Sequence, residues 1–416
     1  MGNIDDFQGY GRRCQQELDK IDQHTAQDRP HIKRFVQHYD NRVTESTLAT
    51  YLCSLRRASE ELDGNLTDLD VAGLDALAYD LHHDVGLADS TVHGHLFAVR
   101  KLLAIVDDDT DWVDEYELPA PDSPPVTPGE MLTPDDIGAL TGAATNMRDV
   151  ALVEFLADTG ARISMVGSLR AGDVDLDGDT ATFSPNPNAT GLKGADIRPY
   201  PIIDSLATLR TYLHQTHPRP ERDDVAFFHK LPGHGTDFSD GAGALSAPTI
   251  HGRLSDLAET AGVDKPTNPH NFRHSAISRM RREGYTRSQI EHRVAWAVDT
   301  NEWATYEHIA AEEHNRDIFA QAGVVDDDEG PDTARRSCGN CRETLAPHHS
   351  FCSRCGTPAD PELRDVLGEV DEATRAELVG AGDPDQRRTV SALADAAEDP
   401  AVAEALLAEL ADRARD

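Results

Sequence analysis

The sequence predicts a mainly α protein. It divides into an N-terminal helical domain, an α+β domain with a small antiparallel sheet, a small four-cysteine module and a helical tail. Three observations carry this reading. Apolar residues recur at helical spacing over most of the chain. The period changes to that of short strands only over 172–203. Four of the six cysteines fall between 338 and 355. The expected divisions are a flexible N-terminus over 1–28, a helical domain over 29–113 and a linker over 114–130. The α+β domain follows over 131–323, then an acidic linker over 324–337, the cysteine module over 338–358 and the tail over 359–416.

Residues 1–28 are polar and charged, which suggests loose order. "TESTLATYLCSLRRASEEL" then sets Leu48, Tyr51, Leu52 and Leu55 on one helical face. In "ADSTVHGHLFAVRKLLAIV", Ser90 is the expected N-cap, and Val92, Leu96, Val99, Leu102 and Leu103 form the apolar stripe. "DEYELPAPDSPPVTPGE" is Pro-rich and acidic and reads as a linker. "LTPDDIGAL" restarts helix, with Thr133 as N-cap, Pro134 at the first helical position and Asp136 completing a capping box. "GDVDLDGDTATFSP" and "IRPYPII" read as strands, the first turning at Asp177-Gly178. "APTIHGRLSDLAETAG" restores the helical period through Ile250, Leu254, Leu257 and Ala261. The tail repeats it in Leu363, Val366, Leu367 and Val370, a face suited to contacts between protomers or back onto the parent domain.

The net charge is -36, from 75 acidic and 39 basic residues. Lysine is confined to Lys20, Lys33, Lys101, Lys193, Lys230 and Lys265. This balance fits a protein adapted to very high salt, where the Debye length shrinks to roughly 3 Å and self-repulsion is screened. It therefore does not exclude an anionic partner. No run of about 18 apolar residues suggests a membrane span, and the first residues lack a secretory apolar core. Clustered cysteines outside any disulfide framework point to a reducing, cytoplasmic setting.

Metal-free strand transfer on a phosphodiester needs particular side chains. A phenol can attack phosphorus and become a covalent intermediate. Bidentate cations must hold the non-bridging oxygens. An acid must protonate the leaving alkoxide. The second half of the chain supplies these in order. Arg162 lies in "TGARIS", after Gly160, which permits a tight helix break. Lys193 lies in the hairpin region, at the tip of a turn. His270 and Arg273 share a helical face in "HNFRH", started by Asn268-Pro269. Trp296 and Tyr306 follow ten residues apart, with Trp303 between them as a packing residue. Singly, each motif is commonplace. All of them in one order and spacing are not.

These motifs resemble the tyrosine recombinases, the family of Xer proteins and phage-type integrases. "TGARISMVGSL", "LKGADIRPYPI", "HNFRH" and "VAWAVDTNEWATYEH" are similar to its four boxes. The resemblance spans about residues 30 to 323 and, with the acidity, suggests a haloarchaeal type. It implies an N-terminal helical domain that clamps DNA, a catalytic domain, and a homo-oligomer, a tetramer on paired sites of double-stranded DNA. It implies Tyr306 as nucleophile forming a 3′-phosphotyrosine, with Arg162 and Arg273 on the phosphate oxygens. Lys193 would protonate the leaving 5′-oxygen, His270 would assist proton transfer, and Trp296 would donate to a phosphate oxygen. No cofactor is expected for catalysis. The chain departs from the pattern at Met165, where Glu is usual, and at Ala295, where Gly is usual. Tyr200 and Tyr285 are the alternative nucleophiles, Tyr285 being poorly placed in a turn after Gly284, and a basic face of Arg279, Arg281, Arg282, Arg287 and Arg293 suits phosphates.

"CGNCRETLAPHHSFCSRCG" spaces Cys338, Cys341, Cys352 and Cys355 as C-x2-C-x10-C-x2-C. That is the pattern of a closed structural zinc ribbon, with His348 and His349 as bystanders. The leading function is site-specific recombination or integration. The alternatives are a catalytically impaired recombinase-fold DNA-binding protein, a type IB topoisomerase-like enzyme, and a zinc-ribbon interaction protein with the recombinase part as scaffold.

Overall fold

Amphipathic helices separated by capping residues set the architecture. The computed structural model describes residues 3–106, 111–120, 127–178, 180–232, 242–296, 303, 335–352, 354–360 and 364. The first hydrophobic cluster is built by six helices: α1 (Tyr10–Asp19), α2 (Asp28–Tyr39), α3 (Glu45–Glu60), α4 (Val71–His83), α5 (Asp89–Val106) and α6 (Asp111–Glu115). Thr44 caps α3 by accepting from the Thr47 amide, and Asp70 caps α4 through the Gly73 amide. Leu52, Leu55, Leu74, Leu96, Val99 and Leu102 from these helices meet in one buried core. Ser90 is not an N-cap: α5 starts at Asp89, so Ser90 sits inside the first turn.

The N-terminus departs from the expectation of loose order. The α1 helix packs on α3, and Glu17 pairs with Arg56 at 2.9 Å, so the helical cluster begins near residue 10. The residues before α1 cross to the second cluster. Asp5 pairs with Arg170 and accepts from Asn186 Nδ2 at 2.9 Å, and its carbonyl accepts from the Thr190 amide at 2.8 Å. Phe7 is 4% exposed within the second core and lies over Gly167, where a Cβ would fall 2.1 Å from its ring. The segment is polar in composition, yet its polar groups are matched to partners about 160–185 residues away, which composition cannot register.

The second cluster holds the expected catalytic region. It comprises α7 (Pro134–Gly142), α8 (Met147–Thr159), α9 (Ile163–Ser168), α10 (Leu206–Thr211), α11 (Ala247–Ala261) and α12 (Pro269–Arg282), while α13 (Arg287–Arg293) packs Ile290 against the other side of α12 in a small cluster with Trp296 and Trp303. A capping box of Thr133 and Asp136 opens α7, with Pro134 in its first turn. Between α9 and α10 lies an antiparallel sheet of three two-residue strands in sequence order: β1 (Val174–Asp175), β2 (Thr182–Phe183) and β3 (Tyr200–Pro201). Phe183 pairs with Val174 on one side and Tyr200 on the other, which turns Phe183 and Tyr200 into the core beside Phe155, Leu156 and Phe272. A third unit is a hairpin of β4 (Arg336–Ser337) and β5 (Thr344–Leu345) around the cysteines. The tail over 365–416 and the linker segment 324–334 lie outside the described residues. Among the described residues no helix is long and apolar enough to cross a membrane.

Because Phe7 fills a site that only glycine at 167 leaves open, Phe7→Ala is expected to lower stability by about 3 kcal/mol. Gly167→Ala is expected to release the same N-terminal segment without altering it. Urea denaturation of the two variants checks both, and neither loss is expected for Asn3→Ala.

Candidate active site and metal centre

The site is assembled at the helix break that follows α8. Gly160 caps that helix with φ +59, a left-handed conformation suited to glycine, and a Cβ there would lie 3.1 Å from Ala276. The chain therefore turns tightly into Arg162, the N-cap of α9. Arg162 Nη1 donates to the Ala295 carbonyl at 3.0 Å. From α12, Arg273 Nη1 donates to the Gly160 carbonyl at 2.8 Å and the Val294 carbonyl at 2.7 Å. Its guanidinium lies 5.1 Å from the Trp296 ring centroid. The structure thus brings Arg162, Arg273 and Trp296 together on the turn that ends α13. Arg273 is 4% exposed, so these contacts fix its plane.

Trp303 packs as expected. It lies 5.3 Å from Trp296 in an edge-on arrangement and donates its indole N–H to Glu291 Oε1 at 2.8 Å. His270 is exposed on α12, with its ring 4.2 Å from that of His274. Burial, then the charges of His270 and Arg273, lower the His274 imidazole to about 4, so it is neutral at pH 7. Lys193 is exposed in the loop between β2 and β3, at φ +51 between Gly191 (φ +78) and Gly194 (φ +76). Tyr10 of α1 covers that loop at Gly191. Tyr306 and His308 lie outside the described residues. Tyr200 is fully buried and its hydroxyl donates to the Asp196 carbonyl, so it is closed to a substrate. The Tyr285 ring lies under the Arg293 guanidinium at 5.8 Å.

Two departures acquire physical meaning. Met165 is 1% exposed in the second core, so the position normally held by an acid is an apolar packing site. Ala295 has φ +51, the left-handed conformation in which a Cβ is strained, which accounts for glycine at that position.

Of the five arginines expected to form a basic face, Arg279 and Arg293 turn inward, whereas Arg282 and Arg287 are exposed. Arg293 is 4% exposed and pairs with Asp158 at 2.7 Å. Arg279 pairs with Asp204 at 2.9 Å and donates to the Ala157 and Asp158 carbonyls. Arg287 reaches Glu291 and the Trp303 ring. Asp204 also accepts from Arg335, next to the cysteine module, at 2.5 and 3.0 Å. Sequence density could not reveal the inward pair, because Asp158 and Asp204, which neutralise Arg293 and Arg279, lie 135 and 75 residues away in the chain. The carbonyls of Gly160, Val294 and Ala295 were equally hidden, since main-chain acceptors have no side-chain signature.

The four cysteines converge. Cys338 and Cys355 sulfurs are 3.5 Å apart, as are those of Cys341 and Cys352, and all four lie within 4.8 Å of one another. Disulfides would need about 2.05 Å. Tetrahedral zinc with bonds of about 2.3 Å separates thiolates by roughly 3.8 Å, so the set fits a four-thiolate ion. His348 and His349 do not join it. Both point instead toward Glu154 of α8.

Replacing Ala295 by glycine is expected to remove left-handed strain and stabilise the protein by about 1 kcal/mol. Thermal unfolding of A295G checks this. Burial pushes the Asp204 carboxyl up, but Arg279, Arg335 and Arg293 outweigh it and bring it down to about 2. A depressed carboxyl contributes stability above its unfolded value of 3.8, lost as pH falls through about 2. The contribution is on the order of 2 kcal/mol. Denaturation between pH 5 and 2 (roughly the span of the two values) is expected to show this loss, and Asp204→Asn to flatten it.

Residues 130–313 match the phage integrase family. Over 271 residues the chain is 27% identical to the tyrosine recombinase XerC of Xanthomonas campestris pv. campestris, covering 60% of this chain and 75% of that protein. It is 30% identical over 168 residues to XerC of Xanthomonas axonopodis pv. citri, covering 39% of this chain and 48% of that one. Its fold is similar to that of the Tn1549 transposon integrase, solved in complex with a circular intermediate DNA. That match has a TM-score of 0.52 and 16% identity, over 69% of this chain and 97% of that chain.

Proposed function

We propose that the chain is a site-specific tyrosine recombinase or integrase that cuts and rejoins double-stranded DNA. The observation that carries this reading is the pair Arg162 and Arg273. Both are oriented by carbonyls of adjacent residues, 294 and 295, beside Trp296, in the segment that matches the phage integrase family. Guanidiniums held in this way can receive a phosphate's non-bridging oxygens with little reorganisation. The match to relatives named as tyrosine recombinases supports the same reaction class.

In this reading the Tyr306 phenol attacks phosphorus in line. The new bond joins the tyrosine oxygen to the 3′-phosphate, and the bond to the 5′-oxygen breaks. His270 takes the phenolic proton, and Lys193 gives one to the leaving 5′-oxygen. Arg162, Arg273 and the Trp296 indole carry the developing charge. Attack by a 5′-hydroxyl of a partner strand reverses the step and restores the phenol. The bond energy is kept in the phosphotyrosine, so no cofactor is required. The exposed Lys193, in a loop hinged by two glycines with positive φ, suits a group that reaches the phosphate when DNA is bound. The helices α1–α6 would clamp the duplex, protomers would assemble as a tetramer on paired sites, and Cys338, Cys341, Cys352 and Cys355 would hold structural zinc.

Met165 in its apolar core favours one other reading, a recombinase-fold protein that binds DNA with impaired cleavage. Incubation with nicked suicide duplexes in molar salt decides between them. Wild-type protein is expected to become covalently attached to DNA, and Tyr306→Phe to lose attachment entirely while still shifting the duplex in a gel. Adducts formed by Tyr306→Phe would sink the assignment of the nucleophile. Relaxation of plasmids regardless of sequence would favour a type IB topoisomerase.

A further inference from the structure

The cysteine module meets the catalytic region through three side chains that the recombinase reading leaves unused. Glu154 lies midway along α8 and is 5% exposed. Its Oε1 is 3.1 Å from His349 Nε2 and 3.8 Å from His348 Nε2. The two imidazoles are edge-on to one another, at 77°, and the three ligand atoms lie within 4.8 Å of one another. Zinc with bonds of about 2.0–2.1 Å holds such nitrogen and oxygen ligands roughly 3.3 Å apart. The observed separations from the carboxylate bracket that edge.

We propose that Glu154, His348 and His349 form a second metal site, for a divalent transition ion such as zinc, which pins the cysteine module to α8. The hydrogen-bond inventory supports an ion over an ion pair. Glu154 Oε2 and His348 Nε2 are both buried without a hydrogen-bond partner. A His349–Glu154 ion pair satisfies one nitrogen and one oxygen. It leaves Glu154 Oε2, and His348 Nε2 at 3.8 Å from the already engaged Oε1, unserved, at a desolvation cost for each. A cation among the three engages His348 as well as His349 and offsets the buried carboxylate charge. Two imidazoles and one carboxylate are a ligand set zinc accepts with one further position. The triad forms part of the wall of a cleft of about 1050 Å³, which gives that position access to water. The module is also tied nearby by Arg335 to Asp204 and Glu283, so the imidazoles are delivered to α8 from an already anchored segment.

Cobalt titration of the metal-stripped full chain tests this. Two equivalents are expected: one with an intense near-ultraviolet thiolate-to-cobalt band, one with visible bands alone. The double variant His348→Ala/His349→Ala is expected to keep the thiolate band, which reports a folded module, and to lose the second equivalent. Glu154→Gln, outside the module, is expected to do the same. A single equivalent in the wild type overturns the proposal whatever the variants do. So does a second equivalent that survives either substitution, or one that disappears only together with the thiolate band.

Discussion

A buried guanidinium governs the geometry of this molecule. Arg273 stays charged at any accessible pH, so burial at 4% exposure requires fixed partners. It finds them in the carbonyls of Gly160 and Val294 and in the face of Trp296. Those groups come from the end of α8 and the end of α13, while Arg273 itself lies on α12. One cation therefore holds the ends of two helices against a third. Arg162 adds the Ala295 carbonyl to the same turn. The left-handed Gly160 and the strained Ala295 are the backbone conformations that allow these carbonyls to face inward.

Behind this site the remaining arginines solve the same problem with carboxylates. Asp158 accepts from Arg293 and from the Ser205 hydroxyl and amide, so it ties α13 to the start of α10. Asp204 receives Arg279 from α12 and Arg335 from beside the cysteine module. Breaking such a pair strands a charge in a dry environment, which makes these contacts unforgiving of single changes.

The N-terminal segment links the two helical clusters. Phe7 enters the second core, Asp5 and Gln8 bond to its loops and α9, and α1 continues onto α3. Gln8 bonds Ser164, two residues from Arg162, and Tyr10 covers Gly191, two residues from Lys193. The segment is therefore in contact with both loops that carry the candidate phosphate-binding and proton-donating groups.

Local signals were legible in the sequence because they depend on near neighbours. The α7 capping box, Asn268-Pro269 at the start of α12, Gly160 as a helix stop, the short strands and the four converging cysteines all follow from spacing and side-chain chemistry within a few residues. The order of Arg162, Lys193, His270, Arg273, Trp296 and Tyr306 likewise carries the resemblance to the tyrosine recombinases, and residues 130–313 match the phage integrase family. Only tertiary structure decided which arginines are structural, that the polar N-terminus is a tether, and that His348 and His349 face Glu154 and not the cysteines. The reason is physical. Burial and charge pairing depend on which distant residues the fold brings within a few ångströms, and a residue's own type and neighbours do not carry that information.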